Sequence, residues 1–378
     1  MGTSIVTLAS CAAVLTWSVA QEPSARERAL AEFQARLVED VLADDIGSIA
    51  TGVSVGVELI FAEGIGLRDR ARELDAGADT IYRIGSIAKP ITAVTLMVLV
   101  RRGTVALDDP VVKHLPEFAG LGGGVPAARA ITLRQLASHT AGLAREPELE
   151  GADAGPIAQW EEKVLASIPK TALGQQPGAA FAYSNIGYGI LGLALSRAAR
   201  EPFPELVHRL VFEPLGMTSS SFVVAPSLAA RLALGYEQDG AGNIDGEQAA
   251  REHAGRGYKV PNGGVYSTAA DLGRFMALMS GALGDDVLDA PARAEMLKRQ
   301  TPVGGEAYGL GFSLTSDAQG NEFVAHSGGI AGYTAQLVFH PRSRIGVVLL
   351  RNYAGGRVDL QQRAEGLLTA LVAAEKKP

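Results

Sequence analysis

The order of hydrophobic and polar residues changes character along the chain. Over residues 24–42, "SARERALAEFQARLVEDVL", the apolar positions recur at helical spacing and predict an amphipathic helix. Residues 51–69, "TGVSVGVELIFAEGIGLRD", are rich in β-branched residues and glycine and predict one or two strands. The largely apolar run over residues 91–100 predicts a buried helix.

The middle of the chain has a helical pattern, whereas most of its C-terminal part has a β-type pattern. Residues 131–280 are mainly helical in pattern, with many loops, and a last helix is predicted over residues 358–374. Between them lie the short β-type runs "GFSLTSD", "NEFVAHSGG", "YTAQLVFHP" and "RIGVVLLRN", separated by Gly, Pro and Asn. These runs predict an antiparallel meander.

Segments of β type therefore bracket a helical middle. We predict an α/β (α+β) fold in which residues 24–115 and 300–378 form one lobe, an antiparallel sheet flanked by helices from both chain ends. Residues 116–299 are predicted to form a mainly helical lobe that is inserted into it. No internal repeat or low-complexity tract is present.

Composition narrows the possible functions. The chain has 378 residues, of which 47% are hydrophobic and 20% charged, and a net charge of −7 with scattered Lys and Arg. This distribution argues against a nucleic-acid partner. One cysteine excludes an internal disulfide framework, and the six histidines lack metal-ligand spacing, so we expect neither a metal site nor a cofactor.

The N-terminus has the pattern of a leader. "SIVTLASCAAVLTW" is apolar but too short to span a bilayer, and "SVA" before Gln21 has the form of a signal-peptidase site. We predict a signal peptide over residues 1–20 and a secreted or periplasmic location, with lipid attachment at Cys11 as an option. Because no Lys or Arg precedes the apolar run, a cytoplasmic protein with an apolar leader is the alternative. No transmembrane segment is predicted elsewhere.

The stretch "RIGSIAKPIT" carries the first candidate chemistry. Ser86 and Lys89 are three residues apart, so on a helix the amine can reach the hydroxyl. A partly desolvated lysine has a lowered pKa and can accept a proton from a serine nucleophile. The motif also occurs as Ser167 and Lys170 in "ASIPK", but there it ends a surface-type helix, whereas Ser86 precedes the most apolar helix.

Two later segments contribute further candidate residues for an acyl-transfer site. In "AYSN", Tyr183 could act as general base to Ser86, as a phenolate or by sharing its proton, and Asn185 could contact a substrate amide or fix the lysine. His326 in "HSGG" runs from glycines into a strand, which favours it over His253 in the charged segment "REHAGRGYK".

Two other patterns have structural explanations. Asp108 and Asp109 precede Pro110, which indicates a turn rather than a pair of catalytic carboxylates. The G-x-G-x-x-G spacing over residues 187–192 follows no clear strand, so we expect close helix packing rather than dinucleotide binding.

In this order the motifs resemble the class C β-lactamase-like serine hydrolases. That superfamily includes D-alanyl-D-alanine carboxypeptidases, D-aminopeptidases, β-lactamase-fold carboxylesterases and LACTB-like proteins. The resemblance covers roughly residues 52–352 and extends to "LDDPVVKHLPEF", "ITLRQLASHTAGL", "PGAAFAYSNIGYGILG", "GGVYSTAADLGRFM" and "HSGGIAGYTAQLVFHPRSRIGVVLLRN". It implies a β-lactamase/transpeptidase-like fold forming one catalytic unit.

The resemblance also implies roles for single residues. Ser86 would be the acylated nucleophile, Lys89 its proton partner and Tyr183 the general base. Asn185 would contact the substrate, and the backbone N–H groups of Ser86 and Gly329 would form the oxyanion hole. His326 and Gly328 stand where many relatives carry the Lys and Gly of a Lys-Thr-Gly motif.

The histidine in that motif bears on the substrate. A neutral His326 supplies no permanent charge, which favours a carboxylesterase or a D-amino-acid or DD-peptidase over an efficient class C-like β-lactamase. Arg357 could supply the missing charge, although we expect a surface role for it. A β-lactam- or peptidoglycan-binding sensor with little turnover is the third alternative, and no sequence pattern predicts an oligomeric state.

Overall fold

A computed structural model describes residues 22–239, 241–253, 255–283 and 285–375. The predicted leader and Cys11 lie outside the described residues. Within the described ranges, no helix is long and apolar enough to cross a membrane.

The helices begin and end as follows: α1 Ala25–Asp44, α2 Ala88–Arg101, α3 Val111–His114, α4 Leu133–Ala137, α5 Trp160–Ser167, α6 Asn185–Ala199, α7 Phe203–Val207, α8 Glu213–Leu215, α9 Glu247–Glu252, α10 Val260–Gly263, α11 Ala269–Met279, α12 Ala290–Leu297 and α13 Leu360–Glu375. The strands are β1 Ser48–Val55, β2 Glu58–Asp69, β3 Leu74–Asp75, β4 Tyr82–Arg83, β5 Glu237–Gln238, β6 Ile244–Asp245, β7 Tyr266–Ser267, β8 Ser313–Ser316, β9 Glu322–Ile330, β10 Tyr333–His340 and β11 Ile345–Arg351.

In the described part of the chain, seven strands form one antiparallel sheet in the order β3-β2-β1-β11-β10-β9-β8. Its centre joins the two ends of the sequence, because β1 pairs with β11 from Ile49 opposite Arg351 to Val55 opposite Ile345. The four β-type runs near the C-terminus form β8 to β11, as predicted. The remaining strands form two separate pairs, β4 with β7 and β5 with β6.

Helices from both chain ends cover one face of this sheet. Alternate residues of the central strands, such as Ile49 in β1 and Val347 in β11, point to this face and pack in one core with Leu37 of α1 and Leu368 of α13. α1 begins where the sequence predicts, because the Ser24 hydroxyl accepts a hydrogen bond from the Glu27 N–H in a capping box. The prediction of a sheet flanked by both chain ends is confirmed.

The opposite face of the sheet packs against the helical middle of the chain. Ala50 and Val348 share a larger core with α2, α6 and α11. α2 is buried from Ala88 to Leu99, which explains its nearly uniform apolar sequence. The bounds of the two lobes stay a prediction, and α11, which falls in the predicted helical lobe, packs directly on β1 and β11.

Candidate active site

Ser86 lies in the 3₁₀ turn Gly85–Ile87, which leads directly into α2. It is partly exposed, whereas both of its neighbours in the turn are buried. The start of a helix offers free backbone N–H groups and a dipole that favours negative charge. The prediction that Ser86 precedes a buried helix is confirmed.

Lys89 reaches back from the first turn of α2 to the serine. Its Nζ lies 3.1 Å from Ser86 Oγ, 2.8 Å from Asn185 Oδ1 and 3.4 Å from the carbonyl oxygen of Asn262. The side chain is 0% exposed. Burial, and to a lesser extent the charge of Arg145, lowers the pKa of Lys89 well below its usual 10.5. Compared with a solvent-exposed lysine, Lys89 is therefore shifted toward the neutral amine.

Tyr183 contacts both members of this pair. Its ring centre lies 4.7 Å from Lys89 Nζ. Burial raises the pKa of Tyr183 to about 12, against the opposing effects of its hydrogen bond to Ser86 and the charge of Arg145. Of the two forms that the sequence left open, the phenolate is therefore disfavoured, because the low-polarity surroundings of the ring penalise the charge.

The ring of His139 packs against the ring of Tyr183. Its ring centre lies 4.2 Å from that of Tyr183 and 5.2 Å from that of Tyr308. Its Nδ1 accepts a hydrogen bond from the Ser184 N–H at 3.1 Å. Burial lowers the pKa of His139 well below 6.5, so a neutral ring packs against Tyr183. The segment "ASHTAGL" was part of the family resemblance, but sequence reasoning assigned no role to this histidine.

Asn185 is the first residue of α6, and Ser184 caps that helix by accepting a hydrogen bond from the Gly187 N–H. The Asn185 amide is held at both ends: Oδ1 accepts from Lys89, and Nδ2 donates to Glu146 Oε1 at 2.7 Å. Of the two roles that the sequence left open, the structure therefore places Asn185 in contact with the lysine.

The 3₁₀ turn packs against β9. β8 pairs with β9 only as far as Ala325, so the next residues of β9 meet the turn instead of a strand. A Cβ at Gly328 would collide with the carbonyl oxygen of Ile84, and one at Gly85 would lie 2.8 Å from Gly329 N. The glycines thus allow backbone to meet backbone, which brings the segments of Ser86 and Gly329 together.

His326 is buried beside this contact. Its Nδ1 lies 2.7 Å from the carbonyl oxygen of Ser327 and its Nε2 lies 3.1 Å from the Tyr308 hydroxyl. In a neutral ring, Nδ1–H donates to the carbonyl and Nε2 accepts from the phenol. Burial, followed by the charge of Lys89, lowers the pKa of His326 to about 3. This lowered pKa agrees with the expectation that the histidine is neutral near pH 7.

The duplicate motifs do not form a second site. The Ser167 hydroxyl is buried and donates to the carbonyl oxygen of Lys163 at 2.7 Å, while Lys170 is exposed. His253 follows α9 and is not a freely solvated loop residue, since its ring nitrogens lie 2.7 Å from the Tyr266 hydroxyl and 3.2 Å from that of Tyr333.

The two adjacent aspartates are structural, as expected. Asp108 binds Arg134 at 2.7 Å. Asp109 binds Lys113 at 2.6 Å and His114 at 2.8 Å, and its pKa lies at about 2 because these hydrogen bonds outweigh the effect of burial. Neither carboxylate is free for proton transfer.

The glycine pattern and Arg357 also have structural roles. A Cβ at Gly192 would collide with Pro261, and one at Gly189 would lie 2.8 Å from the carbonyl oxygen of Tyr258. The predicted close packing is therefore confirmed. Arg357 is exposed, and its backbone N–H donates to Asp44.

Sequence reasoning missed a group of charged residues that surround Lys89. Arg145 lies over the Tyr183 ring at 4.9 Å, and Lys259 and Arg256 act on Lys89 through their charges. They are distant in sequence from the three motifs. Arg145 lies two residues after "HTAGL", but no sequence pattern indicated Arg256 or Lys259. Within the described ranges, no group of His, Cys, Asp or Glu is arranged to hold a metal ion.

Comparisons with known proteins show the family of the chain. The family described as Beta-lactamase matches residues 32–371. The chain is 28% identical over 365 residues to the D-alanyl-D-alanine-carboxypeptidase/endopeptidase AmpH of Escherichia coli (strain K12), covering 90% of this chain and 88% of that protein.

Two solved structures have the same fold. An octameric penicillin-binding protein homologue from Pyrococcus abyssi aligns with a TM-score of 0.77 and 25% identity, covering 92% of this chain and 79% of that one. A beta-lactamase/D-alanine carboxypeptidase from Pseudomonas syringae aligns with a TM-score of 0.76 and 19% identity, covering 93% and 100%. The predicted β-lactamase/transpeptidase-like fold is confirmed.

Proposed function

The chain belongs to the beta-lactamase family, whose members are serine hydrolases, and we propose that it cleaves an ester or amide bond through an acyl-enzyme on Ser86. The observation that carries this proposal is the fully buried Lys89 amine, 3.1 Å from the Ser86 hydroxyl. Burial shifts this amine toward its unprotonated form, which is a base in contact with a nucleophile.

Acylation would begin with transfer of the Ser86 proton to Lys89. In the neutral amine, the two N–H groups can donate to Asn185 Oδ1 and to the Asn262 carbonyl oxygen, which leaves the lone pair for the serine hydroxyl. Ser86 Oγ then attacks the substrate carbonyl carbon. We assign the general base to Lys89 rather than to Tyr183, because the phenol with a pKa of about 12 keeps its proton.

Collapse of the tetrahedral intermediate needs a proton donor and a site for negative charge. The protonated Lys89 would return its proton through the Tyr183 hydroxyl, which is hydrogen-bonded to Ser86, to the leaving group. The backbone N–H groups of Ser86 and Gly329 would bind the oxyanion, each donor contributing about 3 kcal/mol to the transition state. Water would then hydrolyse the acyl-enzyme by the same proton path.

The surroundings of His326 support a substrate class. A buried neutral histidine adds no permanent charge, which favours a carboxylesterase or a D-amino-acid or DD-peptidase over a class C-like β-lactamase. The relative from Escherichia coli carries the name of a carboxypeptidase and endopeptidase, which supports the same choice. We propose a secreted or periplasmic location from the leader pattern of residues 1–20.

The proposal is tested with Ser86→Ala and its matched control Ser167→Ala. We expect the first variant to lose turnover of a p-nitrophenyl short-chain ester and the second to keep it, since Ser167 is tied to the carbonyl oxygen of Lys163. Equal activity in both variants would exclude Ser86 as the nucleophile.

A substrate panel separates the alternatives. Short esters and D-Ala-D-Ala peptides turned over faster than nitrocefin would support the proposed class. Fast nitrocefin hydrolysis would favour a β-lactamase instead. Stoichiometric labelling by a fluorescent penicillin, without sustained turnover of any substrate, would favour a sensor.

A further inference from the structure

A groove opens at the end of α6 that lies away from Ser86. α6 begins beside Lys89, and its 15 residues extend over roughly 20 Å. Near the far end of this helix, Arg197 lies 3.7 Å from Glu161 at the start of α5. The groove has a volume of about 870 Å³ and lies between the start of α5, α7 with the turn after it, and residues 221–223. None of its lining residues belongs to the site around Ser86.

Aromatic rings line this groove. The ring centre of Phe203 lies 5.9 Å from that of Trp160 and 5.8 Å from that of Phe222, and Phe222 lies 6.2 Å from Phe212. All four rings are buried, and Trp160, Phe212 and Phe222 form part of the groove wall. Val223 lies on the same wall and is 62% exposed, which is unusual for a large apolar side chain of the described ranges. Packed rings of this kind favour an apolar ligand, because they lose little freedom when it binds.

The groove carries acidic side chains and no basic one other than His208. Glu161 is paired with Arg197, whereas the exposed carboxylates of Glu162 and Glu205 form no ion pair with another described residue. Both lie in the first turn of a helix, where the dipole favours an acid. The dipole does not, however, determine that both line the same groove. Two carboxylates are thus left to attract a cation.

We propose that this groove is a second binding site, for a small organic cation that joins an ammonium group to an apolar body. The apolar body would contact the aromatic rings, and the ammonium group would lie near Glu162 and Glu205. Charge complementarity selects a cation over a neutral or anionic ligand. An ammonium group is also attracted by the face of an aromatic ring, most strongly by that of tryptophan.

The size of the groove favours a small molecule over a protein partner. Its volume of about 870 Å³ falls in the range of roughly 300–1,000 Å³ that is typical of small-molecule sites. Its 13 lining residues are fewer than the roughly 20–30 that each partner contributes to a stable protein interface. The groove therefore suits a ligand with one or two rings or a short aliphatic chain.

Three ligands that share one apolar body and differ in charge test the assignment: 4-phenylbutylamine, 4-phenylbutanol and 4-phenylbutyrate. Their binding to the full chain is measured by calorimetry at low salt. We expect the amine, which is protonated at neutral pH, to bind about tenfold more tightly than the alcohol, and the carboxylate to bind more weakly than the alcohol. The preference should shrink as salt rises, because both carboxylates are exposed.

Variants of the two carboxylates locate the charge effect. Glu162→Gln combined with Glu205→Gln should bring the amine to the affinity of the alcohol and change binding of the alcohol by less than about twofold. Glu117→Gln is the matched control, since Glu117 is exposed, forms no ion pair with a described residue and lies outside the groove. Equal affinity for amine and alcohol, no measurable binding of the amine, or a preference that survives the double variant would each overturn the proposal.

Trp160 reports where the ligands bind. The chain has two tryptophans, and Trp17→Phe leaves Trp160 as the only one. We expect the amine and the alcohol to change its emission with the Kd found by calorimetry. Val223→Ser should weaken both ligands by about fivefold, because it removes an exposed apolar contact. Binding that leaves the emission of Trp160 unchanged, or that Val223→Ser does not weaken, would place the ligand elsewhere and contradict the proposal.

Ester hydrolysis separates the groove from the active site. Because the groove lies at the far end of α6, the amine at saturating concentration should not compete with a p-nitrophenyl ester for Ser86. Competitive inhibition with a Ki equal to the Kd of the amine would place it at the active site instead and exclude the proposed groove site. Calorimetry and Trp160 emission do not require turnover, so the groove site stands or fails independently of the hydrolase proposal.

Discussion

At the scale of single residues, the burial of Lys89 decides how protons move. The amine must be unprotonated to accept the Ser86 proton, so kcat/KM rises as pH increases through the Lys89 pKa. That pKa lies well below 10.5, and the Tyr183 donor keeps its proton until the pH approaches about 12. We expect an acid limb with a midpoint well below 10.5 and a broad alkaline plateau, measured with a neutral ester.

Titration of His326 should cause no change in kcat/KM near the usual pKa of histidine. Its pKa is about 3, so it stays neutral over the working range, and His326→Asn should leave the midpoint of the acid limb in place. A limb near pH 6.5 that disappears in His326→Asn, or an acid limb close to 10.5 in the wild type, would contradict the assignment of Lys89 as the neutral base.

Glu146 is a positioning residue in the same network. By accepting from Asn185 Nδ2, it turns Asn185 Oδ1 toward Lys89. We expect Glu146→Ala to lower kcat by about tenfold, with a smaller effect on KM, because one orienting hydrogen bond is lost. Glu146→Gln keeps an acceptor oxygen and should recover most of the loss.

Glu150→Ala serves as the control for steady-state kinetics on these variants, since Glu150 is exposed and close in sequence. If Glu146→Ala changed only the melting temperature and left kcat intact, the positioning role would be wrong.

At the scale of elements, the site depends on the contact between the 3₁₀ turn and β9. Gly328→Ala would place a methyl group against the carbonyl oxygen of Ile84, whereas a Cβ at Gly329 meets no atom within 4 Å. We expect Gly328→Ala to destabilise the fold by about 1–3 kcal/mol and to remove activity. Gly329→Ala should melt like the wild type and keep its backbone donor.

Thermal unfolding and ester hydrolysis of the two alanine variants provide this comparison. Equal stability of both would show that the turn and β9 do not pack as closely as described.

The spacing of apolar residues predicted most helices and strands, because buried positions recur at a regular interval along each element. The apolar runs of β1 and β11 reflect burial on both faces of the sheet, and the apolar face of α13 reflects its packing on one of them. Ser86 and Lys89 were found for the same reason, since three residues bring side chains together on a helix. Asn262 and Glu146 were not found, because their contacts with this pair join segments far apart in sequence.

At the scale of the whole molecule, joining the two chain ends in one sheet could be predicted from the order of β-type and helical segments. The ionisation of the site could be predicted only in part. A lowered pKa for Lys89 follows from its apolar neighbours in sequence, but the raised pKa of Tyr183 follows from packing against residues far away in the sequence, such as His139 and His326. The assignment of the general base to Tyr183, which the resemblance implies, stays a prediction.

Buried histidines should make the stability of the molecule pH-dependent. The pKa of His326 is about 3 and that of His253 about 4, both lowered mainly by burial. Since the unfolded chain takes up protons near pH 6.5 and the folded one does not, this stability is present above pH 6.5 and is lost as pH falls toward 4. The loss is on the order of a few kcal/mol.

The melting temperature measured from pH 7 to about 4 checks this effect. His253→Asn should flatten the decline, whereas His208→Asn should not, because His208 is exposed. A melting temperature that does not change over this range would contradict the neutral burial of these rings.

The central claim is that Ser86 carries the acyl group during turnover. Its most direct test is mass spectrometry of the protein quenched with acid during hydrolysis of a p-nitrophenyl ester, followed by peptide mapping. We predict a mass increase of one acyl group, located on Ser86 in the peptide that contains "RIGSIAK" and absent from Ser86→Ala. An adduct on another residue, or turnover by Ser86→Ala at the wild-type rate, would contradict the account.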